Sequence, residues 1–117
     1  MMSNVYDAAY DMEKAIRNSS EFTDLKNLYD QVNADPGAKG MFDNFRQLQM
    51  TLQQKQMTGQ EIAPDEMEQA QKTVALVQQH ETIAKLMEAE QRLSMVIADL
   101  NRIIMKPLED LYGAPEQ

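Results

Sequence analysis

The run from His80 to Ile104 constrains the fold more than any other part of the chain. Its apolar positions are Ile83, Leu86, Leu93, Ile97, Leu100 and Ile104, and with Glu90 filling the gap they alternate at intervals of three and four residues. That spacing is a heptad seam, the pattern of a helix packed lengthwise against other helices. At about 100° per residue, Met87, Ala98 and Met105 flank the seam on one side, and Ala89, Val96 and Ile103 on the other. The apolar arc is therefore roughly 200° wide, about twice what a surface helix needs. A helix of this kind is expected to touch more than one neighbour. Which part of the arc meets the chain's own core and which meets a partner is not decided by periodicity.

With 117 residues the chain is expected to be one domain, long enough to bury a core of its own. It has ten Met, few aromatics and no Trp, a composition that suits helices better than sheets, where β-branched and aromatic residues dominate. There is no cysteine, which removes disulfides, thiolate metal sites and cysteine nucleophiles and points to a cytoplasmic protein. The net charge of −8 argues against nucleic acid and anionic membrane surfaces as partners, since both require clustered Lys and Arg. The first ten residues lack the basic and apolar regions of a signal peptide, and no run approaches 18 uninterrupted apolar residues, so no membrane association is expected.

Taken in order, the chain predicts five helices, over about 4–17, 20–33, 36–57, 64–78 and 80–105. Ser3 or Asn4 caps the first, whose stripe is Val5, Ala9, Met12 and Ile16; Ser19 or Ser20 caps the second, with Phe22, Leu25, Tyr29 and Val32. Both helices are too short to be stable alone and are expected to lie on the rest of the protein. Asp35-Pro36 opens the third helix, with Met41, Phe42, Phe45, Leu48 and Leu52 on its buried side, Gly40 allowing close approach, and a polar far end that projects from the core. Gly59 terminates it and Pro64 starts the fourth, striped by Met67, Ala70, Val74 and Val77, so the two form an antiparallel hairpin. The helical phase slips near Gln78-Gln79-His80, which predicts a break there. Pro107 is expected to end or kink the fifth helix after Lys106, Leu108, Leu111 and Tyr112 to add a turn that docks back, and residues 113–117 to fray. The fold class is thus all-α, a five-helix bundle with two or three long antiparallel helices.

Catalytic chemistry is hard to assemble from these residues. His80 is the sole histidine, which rules out paired Glu-x-x-His motifs, and the four glycines are scattered rather than gathered in a phosphate loop. His80 reads as a helix-end residue. Glu90 breaks the local rule, a carboxylate where the heptad wants an apolar side chain. It is either a register device satisfied by Arg46, Lys72 or a tyrosine, or the centre of a ligand or cation site. An isolated buried carboxylate is costly, so it needs a partner in both cases. The methionines at 41, 50, 57, 67, 87, 95 and 105 lie on or beside the stripes and read first as core filling, second as an adaptable binding surface.

Two stretches carry a family resemblance. Leu86-Met87-Glu88-Ala89-Glu90-Gln91-Arg92-Leu93, followed by Leu100-Asn101-Arg102-Ile103-Ile104, resembles the hallmark of the YlbF/YmcA family of small helical bacterial proteins. Val5-Tyr6-Asp7, Leu25-Lys26-Asn27-Leu28-Tyr29 and Phe42-Asp43-Asn44-Phe45-Arg46 extend the likeness over nearly the whole chain, and within the family the chain looks most like the YheA branch. These are packing motifs rather than catalytic signatures. The resemblance implies an all-helical bundle that self-associates through its long helices and has a regulatory, non-enzymatic role. The better-known members act in a complex that governs an endoribonuclease's processing of messenger RNA, and through it competence, biofilm formation and sporulation. Those members are associated with iron–sulfur clusters held by cysteines; this chain has none, so cluster binding does not carry over and no cofactor is expected.

The reading is therefore a cytoplasmic, homodimeric interaction or regulatory protein, with Leu86, Leu93, Val96, Ile97, Leu100 and Ile103 as candidate interface residues. A small-ligand or cation-binding bundle centred on Glu90 is the alternative.

Overall fold

Each helix begins where a side chain or a proline relieves the unpaired amides of a first turn. The computed structural model describes residues 4–113, which form α1 (Val5–Arg17), α2 (Ser20–Ala34), α3 (Pro36–Met57), α4 (Pro64–Gln79) and α5 (Glu81–Tyr112), with no strand among them. The Asp7 amide donates to Asn4 Oδ1 at 2.9 Å, and the Phe22 amide to Ser19 Oγ at 3.2 Å. Ser3, the other candidate cap of α1, lies outside the described residues. Asp35 accepts from the amides of Gly37 and Ala38 while Pro36 fills the first helical position. The Ala63 amide donates to Glu66 Oε1 at 3.0 Å, so α4 is capped from inside its own first turn.

Two of the stops are equally local. After α3, Gly59 adopts φ 76°, and the amides of Gln60 and Gly59 donate to the carbonyls of Lys55 and Gln56. This is the paired closure that needs a left-handed residue just past a helix, a conformation glycine adopts without penalty. Between α4 and α5 a single residue, His80, has extended backbone (φ −83°, ψ 117°), and its Nδ1 accepts from the Ile83 amide at 3.4 Å. His80 is a helix cap, and the change of helical phase around it is a real break.

The core lies where α2, α3 and α4 meet the first half of α5. Val32, Ala38, Phe42, Phe45, Val77, Ile83 and Leu86 form one buried cluster, with Leu25, Leu28, Val74 and Met87 packed against it. Fully burying an aliphatic side chain of this size is worth about 1.5–3 kcal/mol. α2 makes the most extensive contact with α5, and its start faces the far half of that helix: Leu25 borders the same cleft as Leu93 and Ile97, and Phe22 the same groove as Ile104. The α3–α4 hairpin is buried only at its base, since Phe45 is the last buried residue of α3 and Thr73 the first of α4.

Five expectations are corrected. α5 does not end after Lys106 but passes through Pro107 to Tyr112. Proline removes the hydrogen bond to the Ile103 carbonyl and its ring crowds that carbonyl, which bends a helix more readily than it ends one, and on an exposed stretch water satisfies the freed oxygen. Leu108, Leu111 and Tyr112 consequently stay exposed instead of docking back. Of the expected frayed tail, only Gly113 falls within the described residues. α1 has no buried residue and touches only α2, so its stripe does not lie on the core. Gly40 has open space around it rather than a close neighbour. Of the seven methionines read as core, Met87 is partly buried against it and Met41, Met50, Met57, Met67, Met95 and Met105 are exposed, because the flanks of their stripes meet no neighbour.

The resulting protomer is extended. Its radius of gyration is 18.6 Å with extents of 53 × 36 × 23 Å, against roughly 13 Å for a compact chain of this length. Its accessible surface of 9322 Å² is likewise larger than the roughly 6,500 Å² of a compact 13.4 kDa protein. Stability should therefore rest on few residues. Ile83→Ala is expected to cost about 2–5 kcal/mol in urea denaturation at fixed chain concentration, and Ile97→Ala, at an exposed position, about 1 kcal/mol or less.

Candidate protein interface

The burial pattern divides the six candidate interface residues between two environments. Leu86 and Leu93 are 1 % and 9 % exposed and belong to the chain's own core, so Leu86 in particular is corrected from interface to core. The reason is α2, which covers the first half of the seam. Val96 and Leu100 are half-buried, and Ile97 and Ile103 remain 42 % and 67 % exposed. The second half of the seam has outrun its cover.

An open groove of about 560 Å³ lies beside that uncovered end. One wall is the α1 stripe of Val5, Ala9, Met12 and Ile16; Phe22 and Ile104 supply the other side. At the rim, Arg17 Nη2 contacts Glu13 Oε2 at 2.9 Å. An apolar floor with a charged rim is how protein interfaces are built. Among the described residues, α1 contacts no helix but α2, and its stripe is exposed at Val5 and Ala9 and only partly covered at Met12 and Ile16. The sequence reading missed the groove by assigning the α1 stripe to the core. The available signal was that Leu108 and Leu111 continue the apolar side of Ile97 and Ile104 beyond Pro107.

Glu90 sits at a second cleft, of about 600 Å³, bordered by Leu25, Phe45, Arg46, Met87, Leu93 and Ile97. Its Oε2 accepts from Arg46 Nη1 at 3.2 Å, and the Arg46 guanidinium also lies 5.8 Å from the centre of the Phe42 ring. Of the possible partners, Arg46 is the one that satisfies it. The pair is about half exposed rather than buried, so it contributes at most about 1 kcal/mol. Among the described residues no three His, Asp or Glu side chains come together as a metal-binding group.

A second ion pair joins the hairpin near its tip, where Lys55 donates to Glu66 Oε2. The Lys55 ammonium and, after it, the Ala63 amide hold the Glu66 carboxyl below its ordinary value of 4.5. A depressed carboxyl stabilises the fold above its unfolded pKa, and that contribution disappears as pH falls through the folded value. Glu66→Gln should therefore lower Tm at neutral pH, and the gap to the parent should close on acidification below 4.5, read by thermal melts followed by circular dichroism.

Comparison with known proteins places the chain. The family model described as "Control of competence regulator ComK, YlbF/YmcA" matches residues 5–109. The UPF0342 protein YheA of Bacillus subtilis is 68 % identical over 116 residues, covering 99 % of each chain. A solved protein of unknown function (DUF964) from Bacillus stearothermophilus superposes with a TM-score of 0.84 at 46 % identity, over 96 % of this chain and 98 % of that one. A chain from the structure of Bacillus subtilis RicA in complex with RicF matches with a TM-score of 0.64 over 93 % of this chain and 96 % of that one; at 15 % identity the likeness is one of fold. The all-α fold is thus shared with solved relatives, and the chain is a member of the YlbF/YmcA family.

Proposed function

We propose that this protein is a cytoplasmic, non-enzymatic adaptor that self-associates and exerts regulation by binding other proteins. The observation that carries the reading is the uncovered apolar surface formed by the α1 stripe and the end of α5, including Val5, Ile103 and Leu111. Soluble monomers rarely leave a contiguous apolar patch of this kind to water, and such patches mark interaction sites. The family model is described in terms of control of a competence regulator, and the similarly folded RicA is found in complex with RicF. Both fit a protein that works through contacts. His80, the sole histidine, uses its Nδ1 to cap α5, and its Nε2 lies 4.0 Å from Asp35 Oδ2, the arrangement of a helix-end residue. A ligand or cation at Glu90 is the weaker reading, because Arg46 already meets the carboxylate.

The first test is sedimentation of the purified full chain at micromolar concentration. The expected mass is about twice the 13.4 kDa of one chain, and a monomer would overturn self-association. The adaptor role is tested by affinity capture from the native cytoplasm with the parent chain and a dissociated variant. Specific capture of another protein by the parent is expected, and recovery of the chain with itself only would overturn that role.

A further inference from the structure

We infer that His80 is a proton-operated catch with two positions. Neutral, its ring caps α5; protonated, the ring releases that cap and is drawn to Asp35 on the neighbouring corner.

The setting is a pair of matching corners. Asp35 alone separates α2 from α3, and His80 alone separates α4 from α5, each with extended backbone. Each donates its own amide to the carbonyl three residues back, Val32 for one and Val77 for the other, both at 3.2 Å. Each carbonyl accepts from the amide four residues on, Lys39 and Ala84, both at 2.8 Å. Each side chain accepts from the amide three residues on, Ala38 and Ile83, both at 3.4 Å. Val32, Ala38, Val77 and Ile83 all lie in the buried cluster, so the two corners stand on one core. Their capping side chains also meet, with His80 Nε2 4.0 Å from Asp35 Oδ2.

The two caps differ in what a proton does to them. Asp35 caps α3 with Oδ1 and has Oδ2 to spare for the ring. An imidazole has a single acceptor nitrogen, and only while neutral. With Nδ1 accepting from the Ile83 amide, the proton of the neutral ring sits on Nε2, on the side of Asp35. A second proton must go onto Nδ1, where it faces the Ile83 N–H. Donor then meets donor, at the helix end where positive charge is least favourable. The same proton turns the contact with Asp35 into an ion pair. Both changes draw the ring away from α5 and toward Asp35.

The surrounding charges leave the choice to these two groups. Glu81, beside His80 on α5, is paired with Lys85 at 3.2 Å, and Lys39 on α3 is paired with Asp43 at 2.8 Å. The last turns of α2 and α4, residues 31–34 and 76–79, carry no charge. The first turn of α5, where the α3–α4 hairpin joins the long helix, is what the catch controls.

The test is nuclear magnetic resonance of the isotope-labelled full-length chain from about pH 8 to pH 5, the range in which an ordinary histidine changes charge. At the upper limit the ring nitrogens should show the Nε2–H form. On acidification the Ile83 amide resonance should shift in step with the ring. Hydrogen exchange at Ile83, corrected for its intrinsic pH dependence, should rise relative to the Ala38 amide that Asp35 caps. His80→Asn, which can cap without titrating, should keep the helicity and abolish the pH response of Ile83. Asp35→Asn keeps an acceptor for α3 but removes the charge that draws the ring, so the Ile83 transition should move to lower pH. An Nδ1–H ring at the upper limit, an Ile83 amide indifferent to the ring's titration, or a transition that Asp35→Asn leaves in place would overturn the catch. Should His80→Asn lose helicity, the parent's own titration and the Asp35→Asn shift decide the matter.

Discussion

The contact between α2 and the first half of α5 is what the rest of the molecule depends on. Val32, Ile83 and Leu86 are almost completely buried in the cluster that also holds Phe42, Phe45 and Val77. Without α2, the heptad seam of α5 would lie open from Ile83 onward, and the α3–α4 hairpin would have little to rest on, since it is buried only at its base. Neither α2 nor the hairpin would be stable as an isolated piece in water. The cooperative unit is therefore small and sits at one end of α5.

That placement explains why polar interactions act here as spacers and caps more than as sources of stability. The ion pairs at Lys85–Glu81 and Arg92–Glu88 lie on solvated faces, where each is worth a few tenths of a kcal/mol. Arg46–Glu90 bridges α3 and α5 at the edge of the core and places a charge where the heptad would otherwise carry an apolar side chain. His80 acts in the same spirit, ending one helical phase and beginning another by capping α5 with its ring nitrogen.

The functional reading follows from where the core stops. A bundle that covered α5 to its end would present a charged, ordinary surface. This one stops short, leaving half a seam uncovered and an amphipathic helix that only α2 touches. The six exposed methionines extend that character, since flexible thioethers adapt to more than one partner surface.

Much of the local structure was legible in the sequence because it is decided within a few residues. Asn4, Ser19 and Asp35 cap helices by accepting their own first-turn amides, Gly59 closes α3 by its positive φ, and the slip of phase around His80 marks a break between α4 and α5. Periodicity likewise showed that α5 is apolar over too wide an arc for one neighbour. It could not say which neighbour covers which residue, because a stripe records that a face avoids water and not what it meets. Only the tertiary structure sent Leu86 and Leu93 into the core, left Ile97 and Ile103 outside it, and turned α1 away from the bundle it seemed made to join. The physical reason is reach: caps and turns are settled by neighbours in the chain, whereas burial depends on how far α2 extends along α5.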